Sequence, residues 1–268
     1  MFLERVLVVG LIACGLSFAD SFVATYEPAG VQLPLKTAIC PVVGTCIIGT
    51  EDFDALPANN GGFTTDFGTG NKITGIYSGS YQLTNADAFG GVGGTGSYPT
   101  LSAGGSYTLT LSTDTGADVP GVNYFGLWFS ALDPGNLLQF YQDDTLLYSF
   151  TPADFISLVG DCLSPNPFCG NPNNGQDGNE QFAFLNFYDT SGFFNKVVFT
   201  QTGSGGGFES DDHTVAYMNP PTPHGTNIYA PEPGSLALLG AGAIILLALL
   251  ATRRRIFQAA TISIHSTH

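Results

Sequence analysis

The chain is short of charge, and of basic charge above all. Only 11% of its 268 residues are charged, and seven Lys and Arg face 22 Asp and Glu, for a formal net charge of −15. Soluble domains usually carry roughly 25% charged residues. A nucleic-acid binder neutralises phosphates with Lys and Arg, so this balance excludes nucleic acid as a partner. Tryptophan occurs once and histidine four times. Catalytic signatures are missing as well. There is no Gly-x-Ser-x-Gly, no His-Glu-x-x-His and no Walker loop. What is plentiful is 35 glycines and 12% aromatic residues, too many aromatics for a disordered chain.

Two apolar runs lie at the ends. Residues 6–13 form a short apolar core after Arg5, and Ser17-Phe18-Ala19 supplies small residues before a cut. This reads as a secretory signal peptide, residues 1–19, cleaved after Ala19. A rival ending stays open, because Leu11-Ile12-Ala13-Cys14 resembles a bacterial lipoprotein box that would be lipidated at Cys14. Near the other end, residues 234–251 carry no charge and would span roughly 27 Å as a helix, about the hydrocarbon thickness. Arg253, Arg254 and Arg255 follow at once as a stop-transfer cluster. The positive-inside rule puts them, and a tail over 256–268, in the cytoplasm.

Directly before that helix stands Pro231-Glu232-Pro233. Pro-Glu-Pro, an apolar helix and an arginine cluster in this order resemble the tripartite PEP-CTERM sorting signal, here over residues 231–255. The thirteen-residue tail is longer than the family usually shows. The resemblance implies processing by an exosortase near Pro231, Glu232 and Pro233. It implies inner-membrane anchoring until then, and a final place at the cell surface or in an exopolysaccharide matrix. Asn123-Tyr124-Phe125-Gly126-Leu127-Trp128, Leu137-Leu138-Gln139-Phe140-Tyr141, Phe184-Leu185-Asn186-Phe187 and the segment from Phe208 to Ala216 are similar to a subfamily of such surface proteins. With them the resemblance extends over most of residues 73–252, and it implies an address and a β-rich fold rather than an activity.

The exported part is residues 20–222 plus a linker, 223–230. Its only basic residues are Lys36, Lys72 and Lys196, whereas only Glu4 and Glu232 of the acids lie outside it. Once Cys14 leaves with the signal, Cys40, Cys46, Cys162 and Cys169 remain. Four cysteines in an oxidising compartment argue for disulfides, and the short intervals predict Cys40–Cys46 and Cys162–Cys169. Alternating or β-branched and aromatic runs predict strands over 47–53, 73–83, 106–112, 123–132, 137–142, 145–150, 181–188, 196–201 and 214–218. Gln142-Asp143-Asp144 reads as a hairpin turn. One helix is expected after Thr151 as N-cap, with Pro152 at N1 and Asp154 at N3. Strands without βαβ alternation predict an all-β, antiparallel two-sheet sandwich of jelly-roll type, with one C-terminal transmembrane helix.

Candidate chemistry is sparse, and no catalytic residue is predicted. Gly91-Val92-Gly93-Gly94-Thr95-Gly96 matches Gly-x-Gly-x-x-Gly, but Ser97-Tyr98-Pro99 cannot open a phosphate-binding helix, so it reads as a flexible surface loop. His213 beside Asp211 and Asp212 offers half of a general-base pair, with the solvent face of an edge strand as the simpler reading; His224 lies in the linker. Residues 171–180, with Asp177 and Glu180, lack the order of a calcium loop and read as a polar loop. Glu51-Asp52-Phe53-Asp54 and Glu209-Ser210-Asp211-Asp212 flank the first and last strong strands. Calcium, held by Asp52, Asp54, Asp211 and Asp212, is the one cofactor this pattern suggests. Tyr124, Trp128, Tyr141, Tyr148 and Phe187 are candidates for a sugar platform, with the core as the simpler home for Trp128. The reading is a non-enzymatic surface or matrix protein; a polysaccharide-binding module is the alternative, and a hydrolase a third.

Overall fold

The computed structural model describes residues 22–41, 46–56, 62–114, 120–163 and 165–228. Ala19, Pro231-Glu232-Pro233, the apolar run 234–251, the arginine cluster and the tail lie outside the described residues. Among the described residues no helix is long and apolar enough to cross a membrane.

Fourteen strands and two short helices are described. In chain order they are β1 (Phe22–Tyr26), α1 (Lys36–Ile39), β2 (Cys46–Glu51), β3 (Phe63–Thr65), β4 (Ile73–Gly79), β5 (Gln82–Asn85), β6 (Ser97–Ser102) and β7 (Ser106–Thr113). Then follow β8 (Tyr124–Ser130), β9 (Asn136–Gln142), β10 (Thr145–Phe150), α2 (Pro152–Val159), β11 (Ala183–Asp189), β12 (Lys196–Gln201), β13 (Gly207–Met218) and β14 (Thr226–Ile228). Sheet A has the order β14-β1-β11-β8-β13-β6-β5, with β2 also on β13; sheet B has the order β10-β9-β12-β7-β4-β3. The ladders between them are antiparallel.

Period-two alternation explains the sandwich. Phe125, Leu127 and Phe129 of β8 join Leu109 and Leu111 of β7, Leu138 and Phe140 of β9, and Val197 and Phe199 of β12 in one buried cluster. These are the inner faces of the two sheets. Strand β8 is buried at every position, because its other face is covered too. Tyr124 packs there with Ile39, Tyr188 and Met218, and Trp128 with Phe182 and Phe184.

The predicted run 73–83 is two strands in different sheets. β4 pairs β7 in sheet B, whereas β5 pairs β6 in sheet A. Gly79, at φ +113, makes the crossing, and an added Cβ would stand 2.9 Å from the Ser106 carbonyl. Strands β1, β3, β6 and β14 carry weak or short patterns and have no counterpart among the expected strands. Helix α2 starts at Pro152 as predicted, although Thr151 makes no side-chain cap. The β9–β10 turn holds Asp143 at φ +53, and Asn195 brackets it with hydrogen bonds of 2.7 and 2.8 Å.

Both expected disulfides form, Cys40–Cys46 and Cys162–Cys169. The segment expected to be a linker contributes β14, which adds to β1 at the edge of sheet A. His224 Nδ1 lies 2.9 Å from the buried Glu27 carboxylate, which also accepts from Asn186 Nδ2 at 2.9 Å. Backbone pairing and this buried clasp hold the end of the domain where a sequence reading saw only prolines.

Candidate functional site

Strand β13 organises the polar part of the molecule. It pairs with β8 along one edge, and with β6 and then β2 along the other. Its register on β8 shifts between Asp211 and Thr214, where Asp212 adopts φ +48. Such a bulge inserts one residue and reverses the in–out parity beyond it. Phe208 and Ser210 point inward before it; His213 and Val215 point inward after it.

His213 is therefore not on a solvent face. It is fully buried on an interior strand. Its Nδ1 meets Tyr77 Oη at 2.9 Å and its Nε2 meets Ser210 Oγ at 3.0 Å, while Tyr107 Oη lies 3.3 Å from the same Ser210. The imidazole stacks on Phe199 at a 5.1 Å centroid distance and contacts Phe53 and Phe125 edge-on. Burial pushes its pKa down to about 3, so the ring is neutral. This is a closed polar link between the sheets, out of reach of a substrate.

The four aspartates expected to hold calcium come to one corner, since β2 pairs β13 with Glu51 opposite His213. Asp211 and Asp212 are buried, and Asp52 and Asp54 exposed. Burial, then the neighbouring carboxylates, raises Asp211 to about 8 and Asp212 to about 7. Several of the oxygens are already engaged. Asp211 Oδ2 accepts from Val92 N–H at 2.8 Å and Oδ1 from Asp212 N–H at 2.8 Å, and Asp54 Oδ1 accepts from Ser97 N–H at 3.0 Å. Among the described residues no three Asp, Glu, His or Cys side chains form a group fit to hold a metal. The glycine-rich loop has a defined local form. It folds into a short 3-10 turn over Val92–Gly94 that delivers the Val92 amide to Asp211.

The sugar platform is not available as a surface. Tyr124, Trp128 and Phe187 are buried, and Tyr148 stacks on Phe22. Tyr141 carries the Lys196 ammonium 5.0 Å from its ring centroid.

A different site emerges on the outer face of sheet A. Ser130 of β8 stands opposite Glu209 of β13, which stands opposite Thr100 of β6. Directly opposed residues project to the same face. Glu209 and Thr100 line a cleft of about 410 Å³ together with Asp87, Phe89, Asp133 and Glu180. The walls are braced. Asn171, itself buried, donates through Nδ2 to the Asp87 and Ala88 carbonyls at 3.2 Å, which ties the 171–180 loop to the 86–91 loop. Asp87 Oδ1 accepts from Tyr98 Oη at 2.7 Å. Asp133 Oδ2 accepts from Gly207 N–H at 2.8 Å.

Electrostatically the cleft is a crowd of like charges. Burial, followed by Asp133, Glu180, Asp87 and Asp177, raises Glu209 to about 8. Burial and a hydrogen bond with Asp177 raise Glu180 to about 7, and burial raises Asp133. Among the described residues no Lys or Arg lines the cleft. Of these residues sequence reasoning had weighed Asp177 and Glu180 as loop residues and Glu209 as part of the calcium pattern. It missed Asp87 and Asp133, which sit in unrelated turns and share no motif.

Two glycines make room for the carboxylates. At Gly206 (φ +77) an added Cβ would fall 1.9 Å from Asp133 Oδ2, and at Gly207 1.9 Å from Glu209 Oε1. Gly206→Ala is expected to cost about 2–3 kcal/mol, from left-handed strain plus the displaced carboxylate. Gly205→Ala, with nothing within 4 Å of the new Cβ, is expected to stay within about 0.5 kcal/mol. Thermal melting of the two variants checks this; equal melting temperatures would contradict it.

Comparison with known proteins adds one finding. Residues 230–255 match the family model of the PEP-CTERM protein-sorting motif. No curated protein and no solved structure matches the chain.

Proposed function

We propose, from the premise that a chain carrying the PEP-CTERM protein-sorting motif is exported to the cell surface, that this is a non-catalytic surface or extracellular-matrix protein. In this reading the signal peptide ends at Ala19 and the helix over 234–251 anchors the protein in the inner membrane. An exosortase then processes it near Pro231-Glu232-Pro233. The jelly-roll-like sandwich is the delivered cargo.

The observation that carries the reading is the position of the motif. The compact unit runs from Asp20 to Tyr229, and the motif begins at the next residue. Processing there would release an intact domain whose last strand, β14, is already paired. The disulfides support an oxidising destination. The sealed surroundings of His213 and the oxidised state of the four cysteines support a role without nucleophilic catalysis.

The test is mass spectrometry of the mature protein from a host that has an exosortase. The expected C-terminus lies at or near residues 231–233. A mature chain ending at His268 would overturn the sorting reading. A second reading, a carbohydrate-binding module, is favoured by the cleft on sheet A, whose lining combines carboxylates, hydroxyls and the half-exposed Phe89.

A further inference from the structure

The ectodomain ends in a strap. Residues 219–225, between β13 and β14, include Pro220, Pro221 and Pro223, whose fixed φ leaves the segment little freedom. His224, near its end, is gripped from several sides. Its N–H donates to Tyr188 Oη at 3.1 Å, its carbonyl accepts from Thr25 Oγ1, and its Nδ1 meets Glu27 Oε1 at 2.9 Å. Glu27 is buried, Asn186 donates to the same oxygen, and Tyr124 Oη donates to Asn186. Gly225 then turns the backbone at φ +92, where an added Cβ would stand 2.8 Å from the Tyr26 carbonyl. Strand β14 follows, with Thr226, Asn227 and Ile228 opposite Tyr26, Thr25 and Ala24, and Ile228 sits in the core between the sheets.

The sorting motif starts at residue 230, directly after this strap. From Ile228 to Pro231 or Pro233 the chain reaches at most about 11 or 18 Å, at about 3.6 Å per residue. A peptide read in extended form is held by main-chain hydrogen bonds over several residues, with pockets for alternate side chains. On the amino side of a cut at 231–233 those residues run back into β14. Its backbone is committed to β1, and the Ile228 side chain to the core. Ile228 cannot fill the core and a protease pocket at once. Releasing it is a local event. It breaks one short edge ladder and the His224 contacts, and leaves the β1–β11 ladder in place. Short edge elements open far more readily than a whole domain.

We propose that this strap controls C-terminal processing: the chain is cut at 231–233 only in an open form, with β14 off β1 and His224 released from Glu27. The inference rests on the sorting reading above and adds to it a rate-controlling step inside the ectodomain. Where opening and closing are fast relative to cleavage, the cutting rate follows the open population. The strength of the strap then sets how long the precursor persists, and β14 pairs again after the cut.

The experiment is pulse-chase labelling of the full-length protein in a host that has an exosortase, with C-termini read by mass spectrometry. The parent is compared with His224→Ala, Gly225→Ala and a chain with about six Gly and Ser residues, roughly 20 Å of extra reach, inserted between Tyr229 and Ala230. The insertion keeps β14 and the whole motif and gives the protease free chain. It is expected to speed processing about tenfold or more, and the two substitutions about three- to tenfold. In the inserted chain His224→Ala is expected to add less than about twofold, because the strap no longer limits the cut. The His224 side chain is 40% exposed, so its loss leaves the core intact. Amide hydrogen exchange checks this: residues 226–228 should exchange about three- to tenfold faster in both substitutions, with β8 unchanged. An insertion that leaves the rate unchanged would overturn the inference while the sorting reading stands. So would a loosened strap that is cut no faster, or an effect of His224→Ala that persists undiminished in the inserted chain. Exchange at 226–228 that neither substitution changes would overturn the strap itself. Parent and inserted chain both ending at His268 would overturn the sorting reading, and this inference with it.

Discussion

Lowering the pH from 8 to 6 is expected to stabilise this protein, by about 2–4 kcal/mol and roughly 4–16 °C in melting temperature. Asp211 and Glu209 are raised to about 8, and Asp212 and Glu180 to about 7, chiefly by burial. The corresponding unfolded carboxyls titrate near 4. A group raised in the folded state contributes stability that is full below its unfolded pKa and is lost as pH rises through its folded value. Each such carboxyl therefore costs up to about 1.4 kcal/mol per pH unit on the way up. The figure above counts little more than Asp211 and Asp212, the two that are 2% and 4% exposed. His213, lowered to about 3, works in the opposite sense. Its contribution is full above about 6.5 and falls with pH below that, because only the unfolded chain then takes up the proton. One histidine against several carboxyls flattens the rise below about pH 6.5 without reversing it until the unfolded carboxyls protonate. Melting curves at pH 8, 7 and 6 check the sign. A melting temperature that climbs from pH 6 to 8 would show that these carboxyls are not buried as described. Asp212→Asn, which tolerates the left-handed backbone at φ +48, should reduce the slope.

The second large effect is at His213. His213→Ala is expected to destabilise the protein by about 4 kcal/mol or more, lowering the melting temperature by roughly 8–16 °C. The substitution opens a cavity against Phe199, Phe53 and Phe125. It also strands Tyr77 Oη and removes one partner from Ser210 Oγ, both buried. Stranded buried hydroxyls cost about 1–3 kcal/mol each. His213→Phe keeps the stack on Phe199 and is expected to recover about half of the loss. Were the histidine on a solvent face, both variants would stay within about 0.5 kcal/mol of the parent. Chemical denaturation of the three proteins distinguishes the two cases.

His213 also shows how far a sequence reading reaches. Period-two patterning is local, so runs such as 137–142, 145–150 and 196–201 coincide closely with β9, β10 and β12. The same rule places Glu209, Asp211 and His213 on one face of their strand. A single extra residue, Asp212 in a left-handed conformation, reverses the parity and carries His213 into the core. Alternation cannot announce a bulge, because the bulge is stabilised by what β8 and β2 present on either side. The run 73–83 failed for a related reason. Its pattern continues unbroken across Gly79, where the chain leaves one sheet for the other.

The sequence by itself determined the class of the ectodomain, its acidity, the two disulfides and the sorting motif. Each of these is written in composition or in residues a few positions apart, and short loops leave cysteines little choice of partner. Only the tertiary structure decided that Tyr124 and Phe187 are core, that residues 226–228 close sheet A, and that Asp87, Asp133, Glu180 and Glu209 surround one cleft. Those four come from separate turns and one strand, up to 122 residues apart in sequence. What brings them together is the antiparallel register of β6, β13 and β8, set by hydrophobic burial on the opposite face of the same strands.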